Sequence, residues 1–557
     1  MSEEKTLLDL FYEKEANTPD VVFLRQPFGD NWTTYTWKEV GQISRKMAAA
    51  LHSFDLPPKS NIGLVSKNCV EWVMADLAIM MAGHVSVPLY ATLTGKQLNE
   101  VLTIGDVELV FIGKLDEWKD MSTGIPEDMP IIKFPQYASG ATIDRGIEWN
   151  SLLEKHEPIS GNPVPDFDDV WTIVFTSGTT GTPKGVVLTY RKLKYLLEAS
   201  KNENNLKVSF DGDNRFFSFL PLNHIAERMI VENTSITYGG SISFAESLET
   251  FTQNLVDTSP TVFFAVPRIW TKFQLGILQK MPQKKLDRML SIPIVSGFVK
   301  SKIKKGLGLN DARANVSGAA PITEECKAWY KKLGIHISEG YGMTENCAVC
   351  TFLKAEDHRP GSVGKAAAGA KLKIDEETGE VLMKAPFVMN GYYKNEEQTS
   401  KTINDGWLHT GDQGYIDEDG YLFLTGRIKD TFKTAKGQFI VPAPIEFKFR
   451  GNDDIEQICL LGIGLPQPVA LVSLSDIGKA KSAEDIRQSL NQTLADANNQ
   501  LDNYKKVSTL VIIKDPFTVE NGMLTPTLKT KRTEVNKRYK DLLNAWHEDK
   551  EAVVFEG

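Results

Sequence analysis

Up to about Cys350 the apolar positions fall into short β-rich runs separated by stretches of helical period. Runs at 61–66, 84–89, 108–112, 130–134, 171–175, 215–220, 241–244, 261–266 and 335–338 predict strands, with helices such as 71–82 and 96–104 between them. Alternation of this sort predicts α/β units around mostly parallel sheets. From Lys371 the texture changes. Runs at 371–374 and 380–384 flank Glu377-Thr378-Gly379, and runs at 414–416 and 421–424 flank Asp419-Gly420, so two antiparallel hairpins with tight turns are expected there. After Gly426 a smaller α+β segment begins. Its best helix opens at Ser482 with Asp485 three residues on, and Ile486, Leu490, Leu494, Ala497 and Leu501 then share one face. The expected fold class is α/β: a large N-terminal domain (1–428) with mostly parallel sheets and a β-rich subdomain, then a small mobile α+β C-terminal domain (429–557). The junction at Lys429 is short, which suits a hinge better than a tether.

Composition narrows the function. The 557 residues are 41% apolar and 24% charged, the make-up of an ordered globular chain, and the net charge is −9. A net-negative surface argues against bulk binding of nucleic acid or anionic membrane, so local groups must hold any anionic substrate. Five scattered cysteines make no disulfide scaffold, and Cys347-Ala-Val-Cys350 without a second such pair is poor evidence for a metal or redox site. The acidic start, Ser2-Glu3-Glu4-Lys5, is unlike a secretory signal. Asp76, His84 and Pro88 interrupt the most apolar stretch, 72–90, so no membrane span is expected. These features predict a cytoplasmic protein with at most peripheral membrane contact; a homo-oligomer is open.

The sharpest local signal is Thr176-Ser177-Gly178-Thr179-Thr180-Gly181-Thr182-Pro183-Lys184-Gly185, between the apolar run 171–175 and Val186-Val187-Leu188. Glycines let backbone N–H groups approach an anion, hydroxyls add donors, and Lys184 adds a point charge. Gly185 stands where a P-loop needs Ser or Thr, so the loop is of another kind, suited to a polyphosphate.

This segment resembles the signature loop of the adenylate-forming (AMP-binding) superfamily, which includes acyl-CoA synthetases, aryl-CoA ligases, luciferases and nonribosomal peptide adenylation domains. The family's other motifs follow in order. Ser317-Gly318-Ala319-Ala320-Pro321 resembles the flat wall for adenine. In Glu339-Gly340-Tyr341-Gly342-Met343-Thr344-Glu345, the resemblance implies that Tyr341 stacks on adenine, Thr344 touches phosphate and Glu345 helps to hold Mg²⁺, with Thr176 as a further metal-side oxygen. It gives Asp412, in Trp407-Leu408-His409-Thr410-Gly411-Asp412 just before a predicted strand, the ribose hydroxyls. Arg427 joins it there, and Lys429 matches the hinge position.

On the acyl side, Phe219-Leu220-Pro221-Leu222-Asn223-His224-Ile225-Ala226-Glu227-Arg228 and Val266-Pro267-Arg268-Ile269-Trp270 resemble the long-chain fatty acyl branch. The resemblance puts His224 near the acyl carboxylate; a purely structural histidine at a helix N-terminus is the other reading. Residues around Tyr238-Gly239-Gly240 and Phe263-Phe264 suit an acyl tunnel and a core equally. Asn521 to Arg532 resembles the terminal catalytic-lysine motif, with Lys529 in the catalytic position and Lys531 its rival. Lys433 and Gly437, in Lys433-Thr434-Ala435-Lys436-Gly437-Gln438-Phe439, belong to the implied acceptor passage, where Lys436 replaces a glycine common in relatives.

The resemblance implies an ATP- and Mg²⁺-dependent fatty acid ligase. It activates a medium-to-long-chain acid as acyl-AMP and passes it to the thiol of CoA, or alternatively to the phosphopantetheine of acyl carrier protein. An adenylate-using oxygenase and an inactive ligand-binding relative are the readings of another class.

Overall fold

A strand buried on both faces can be apolar at every position. Asn61–Val65 and Val85–Leu89 are buried throughout and lie side by side, parallel, at the centre of an eight-stranded sheet. This computed structural model describes residues 4–138, 140–177, 182–357, 359–519, 521–525 and 529–557. Val107–Ile112 and Val170–Ser177 flank the central pair. A second sheet, of nine strands, is parallel through Ile337–Tyr341, Ala314–Gly318, Val262–Ala265, Arg215–Ser218 and Ser241–Phe244. Helix Val70–Met81 is buried along its whole length and touches strands of both sheets, which accounts for its apolar residues on every side.

Side chains alternate across the nine-stranded sheet. Val262 and Phe264 join the core shared with the first sheet, while Phe263 and Ala265 meet Trp270, Leu286 and Val299 on the other face. A five-stranded antiparallel sheet contains the hairpin Lys371–Ile374/Glu380–Lys384, as expected, together with Trp407–Ile416 and Leu422–Arg427.

Beyond the 3₁₀ turn Ile428–Asp430 the chain forms a smaller α+β domain around the sheet Ile455–Leu461, Val469–Leu474, Thr509–Ile512 and Val553–Phe555. Helix Ala483–Asn498 covers one face through Ile486 and Leu490; Arg532–Glu548 covers the other through Val535 and Tyr539. The Ser482 hydroxyl accepts from the Asp485 N–H at 3.1 Å, as the capping pattern predicts. Arg268 pairs with Glu456, and Arg450 donates to the Pro321 carbonyl at 3.1 Å, so the small domain rests on the large one.

Two expectations need adjustment. The strand expected at 335–338 runs Ile337–Tyr341, because Glu339 and Gly340 continue the parallel pairing with Ser317 and Gly318. Trp407 to Asp412 lies within a strand, not before one: Gly411 at φ +73° and a register shift at Gln413/Gly414 break the alternation without ending the pairing. As expected, the hydroxyl-rich loop follows one strand, Val170–Ser177, and precedes another apolar run, which pairs back antiparallel as strand Pro183–Thr189. Among the described residues no helix is long and apolar enough to cross a membrane.

Candidate active site

Ligands of parallel α/β sheets bind beyond the carboxyl ends of the strands. There lies a cavity of about 1050 Å³, bounded by Thr176, Ser317, Gly318 and Gly340 from strand ends and by Gly522, Thr525 and Lys529 from the small domain.

Its cationic corner is built on the strand pair after the hydroxyl-rich loop. Thr176 and Lys184 are cross-strand partners, and both line the cavity. The Lys184 ammonium lies 5.4 Å from the ring centroid of Tyr392, whose hydroxyl donates to Glu345 Oε1 at 2.7 Å. Burial and the charge of Lys429 pull the Lys184 pKa down, and Glu345 opposes them. Gly178, Thr179, Thr180 and Gly181 lie outside the described residues, as does the side chain of Ser177. No group of three His, Cys, Asp or Glu able to hold a metal occurs among the described residues. Glu345 Oε2 has no hydrogen-bond partner among them, and one such carboxylate with Thr176 nearby fits Mg²⁺, which takes few protein ligands when phosphates supply the rest.

Of the residues expected to bind the nucleotide, Gly318, Ala319, Gly340, Gly342 and Thr344 are on the cavity wall, whereas Tyr341 and Asp412 are not among its lining residues. Ala319 adopts φ +65°, a strained conformation for a residue with a β-carbon. A β-carbon on Gly342 would sit 2.0 Å from the Ala348 carbonyl oxygen, so only glycine fits. The Tyr341 hydroxyl donates to Asp412 Oδ2 at 2.7 Å, and Arg427 Nε meets Asp412 Oδ1 at 2.9 Å. That ion pair, more than any other contact, raises the Arg427 pKa. Ala320 is exposed and absent from the lining. The Glu339 carboxylate turns away from the cavity to Lys327 Nζ at 3.1 Å.

Lys529 closes the site from the small domain. Its loop is pinned by Thr525 N–H donating to Lys529 O at 2.8 Å and Lys529 N–H donating to Thr525 Oγ1 at 3.0 Å. The side chain is open to cavity water yet walled in by protein. That enclosure and the Arg427 charge lower its pKa to about 8, against the opposing pull of Asp412 and Glu345. Lys531 also lines the cavity but serves as N-cap residue of helix Arg532–Glu548. His224 caps helix Ile225–Glu227, its Nδ1 accepting from the Ala226 N–H at 3.2 Å. Burial and the Lys529 charge push its pKa down to about 3, so the imidazole is neutral with its proton on Nε2. It therefore has a structural role and also a place on the cavity wall.

Leu196, Leu197, Met229, Ile230, Tyr238 and Phe264 add apolar groups to the lining of the same cavity. The aromatic residues left open by the sequence thus divide: Tyr238 and Phe264 line the cavity, whereas Phe263 is core on the other side of the sheet. Lys433 and Gly437 lie on the hairpin Phe432–Lys433/Phe439–Ile440, outside the lining. Lys429 is on the wall, in the turn between the domains. Sequence reasoning missed Tyr392, which reaches the site through a two-residue strand against Val186 and Val187 and carries no local signal.

The family described as AMP-binding enzyme matches residues 11–393, and its C-terminal domain matches residues 429–551. The chain belongs to the AMP-binding enzyme family. Among curated relatives, the long-chain-fatty-acid–CoA ligase FadD15 of Mycobacterium bovis is 27% identical, over 97% of this chain and 96% of its own length. The peroxisomal long chain acyl-CoA synthetase 6 of Arabidopsis thaliana is 29% identical, over 93% of this chain and 82% of its own. Among solved structures, o-succinylbenzoate CoA synthetase of Bacillus subtilis, in complex with its acyl-adenylate intermediate, aligns with a TM-score of 0.74. It is 20% identical and covers 96% of this chain and 98% of that one. This AMP-binding enzyme therefore shares with it the fold of both domains.

Proposed function

We propose that this AMP-binding enzyme is a fatty acid thioester ligase, which joins a medium-to-long-chain fatty acid to AMP from ATP, releases pyrophosphate, and passes the acyl group to the thiol of CoA. One observation carries the reading. Lys184, Glu345, Lys529 and Arg427, the last held by buried Asp412, line one cavity together with neutral His224 and with apolar side chains such as Leu196, Met229 and Ile230. A polyphosphate suits the charged groups and an acyl chain the apolar ones.

The first step brings two anions together, since the carboxylate oxygen attacks the α-phosphorus while the bond to pyrophosphate breaks. Positioning and neutralisation lower such a barrier without a protein nucleophile. Asp412 accepts from ribose hydroxyls in this reading, with Arg427 holding its orientation. The flat wall at Gly318 and Ala319 takes the base. His224 donates from Nε2 to the carboxylate, a task for which a neutral ring needs no ionisation. Lys184 and Lys529 neutralise phosphate charge; Glu345, with Thr176 on the same cavity wall, would hold Mg²⁺, which would supply Lewis-acid neutralisation.

Transfer needs a thiol where Lys529 now lies. Rotation of the small domain at Lys429 removes Lys529 and turns the hairpin bearing Lys433 and Gly437 toward the cavity. The relatives' names favour CoA as acceptor. The test is fatty-acid-dependent exchange of labelled pyrophosphate into ATP, followed by mass spectrometry with CoA or holo-acyl carrier protein as separate acceptors. Exchange and acyl-CoA are expected. Absence of exchange with every chain length overturns the reading, and product only with carrier protein reassigns the acceptor.

A further inference from the structure

The chain is net negative, yet between Arg268 and Lys305 ten Lys and Arg residues accompany one acid, Asp287. That acid is already engaged, accepting from Gln283 at 2.9 Å with Lys332 at 3.8 Å. Lys284, Lys285, Lys300, Lys302, Lys304 and Lys305 take part in no ion pair among the described residues. The segment folds as helices Pro267–Lys280, Gln283–Leu290 and Pro293–Gly306, held to the outer face of the nine-stranded sheet through Trp270, Leu286 and Val299.

Against this charge stand exposed apolar side chains: Ile294 is 90% exposed, Phe298 69% and Ile292 48%. Ile294, Phe298, Lys302 and Lys305 recur at helical spacing, so the apolar end and the ammonium groups share one side of the last helix, opposite Ser296 and Val299. Protruding apolar groups beside unpaired cations mark an interaction surface.

We infer that this helical face docks the enzyme on an anionic lipid bilayer. Phe298 and the two isoleucines enter the boundary between headgroups and acyl chains, while the lysines sit among lipid phosphates. The apolar groups project rather than line a groove, which suits a soft layer that closes around them more than the preformed surface of a folded partner. No residue of 267–306 lines the active-site cavity, so docking leaves the site open. The inference rests on charge and exposure and stands apart from the proposed reaction.

The experiment is co-sedimentation of the full chain, without ATP, fatty acid or CoA, with phosphatidylcholine vesicles and with vesicles containing about one-third phosphatidylglycerol. Binding to the anionic vesicles alone is expected, weakening as salt rises. Ile294→Ser with Phe298→Ser should lower the affinity ~10-fold or more, and Lys302→Glu with Lys305→Glu ~25-fold or more. All four side chains are outside the core, so the melting temperature and pyrophosphate exchange with a short water-soluble acid should stay at wild-type values. Equal binding to both vesicles, binding to neither, or undiminished binding by both variants overturns the inference. Capture of acidic acyl carrier protein that the same variants abolish, with vesicles ignored, assigns the face to a protein instead.

Discussion

Two lysines face the same carboxylate from different mountings. Lys184 stands on a strand paired residue by residue with Val170–Ser177, fixed within the large domain. Lys529 stands on a short loop of a domain joined to the rest by the turn Ile428–Asp430. Burial lowers both pKa values and Glu345 opposes both shifts, so the local chemistry is alike. The difference lies in permanence. In the proposed cycle the cationic corner at Lys184 persists in either domain arrangement, whereas the charge of Lys529 is present only while the small domain is turned in. On the proposed mechanism, a residue needed in one half-reaction belongs on the part that moves.

The largest expected effect separates the two. Lys529→Ala should slow pyrophosphate exchange ~10²-fold or more, as loss of one preorganised charge does elsewhere. Lys184→Ala should also reduce the affinity for ATP; a variant at Lys184 with wild-type ATP affinity would break the distinction. Next in size is pH. In the proposed first step Lys529 acts as an ammonium, present below its pKa of about 8 and lost as pH rises through it. Hence kcat/KM for ATP, which reports the free enzyme, should fall about tenfold per unit well above pH 8. His224, with its pKa near 3, should add no limb between pH 5 and 7.

Lys429→Pro, which stiffens the turn, should slow thioester formation by roughly tenfold while leaving exchange nearly intact. Equal loss of both would argue against a hinge there. The smallest effect concerns Tyr392. Removing its hydroxyl in Tyr392→Phe deletes one hydrogen bond to Glu345, worth about 1 kcal/mol, and should shift the Mg²⁺ concentration dependence of exchange a fewfold.

Much of this site is legible in the sequence because its residues sit at the ends of strands, where glycine and hydroxyl clusters interrupt apolar runs. Thr176, Lys184, Gly318 and Gly340 are of this kind. Tyr392 is not, since a two-residue strand leaves no periodicity. Glu339 belongs to a motif whose neighbours line the cavity, yet strand alternation turns its carboxylate to Lys327. The apolar lining is unreadable for a deeper reason: Leu196, Met229 and Phe264 each keep the period of their own element whether they face a cavity or a core. The hairpin Val22–Phe28/Asn31–Thr36 also escapes notice, because its second strand is a polar, largely exposed edge.

The conditional role of Lys529 is tested most directly by bypassing the first half-reaction. Chemically prepared acyl-AMP is supplied with CoA to Lys529→Ala, and thioester formation is followed in a single turnover. A rate within a fewfold of wild type is predicted, although the same variant is nearly inactive in pyrophosphate exchange. A loss in thioester formation as large as the loss in exchange would contradict the account and make Lys529 a resident of both arrangements.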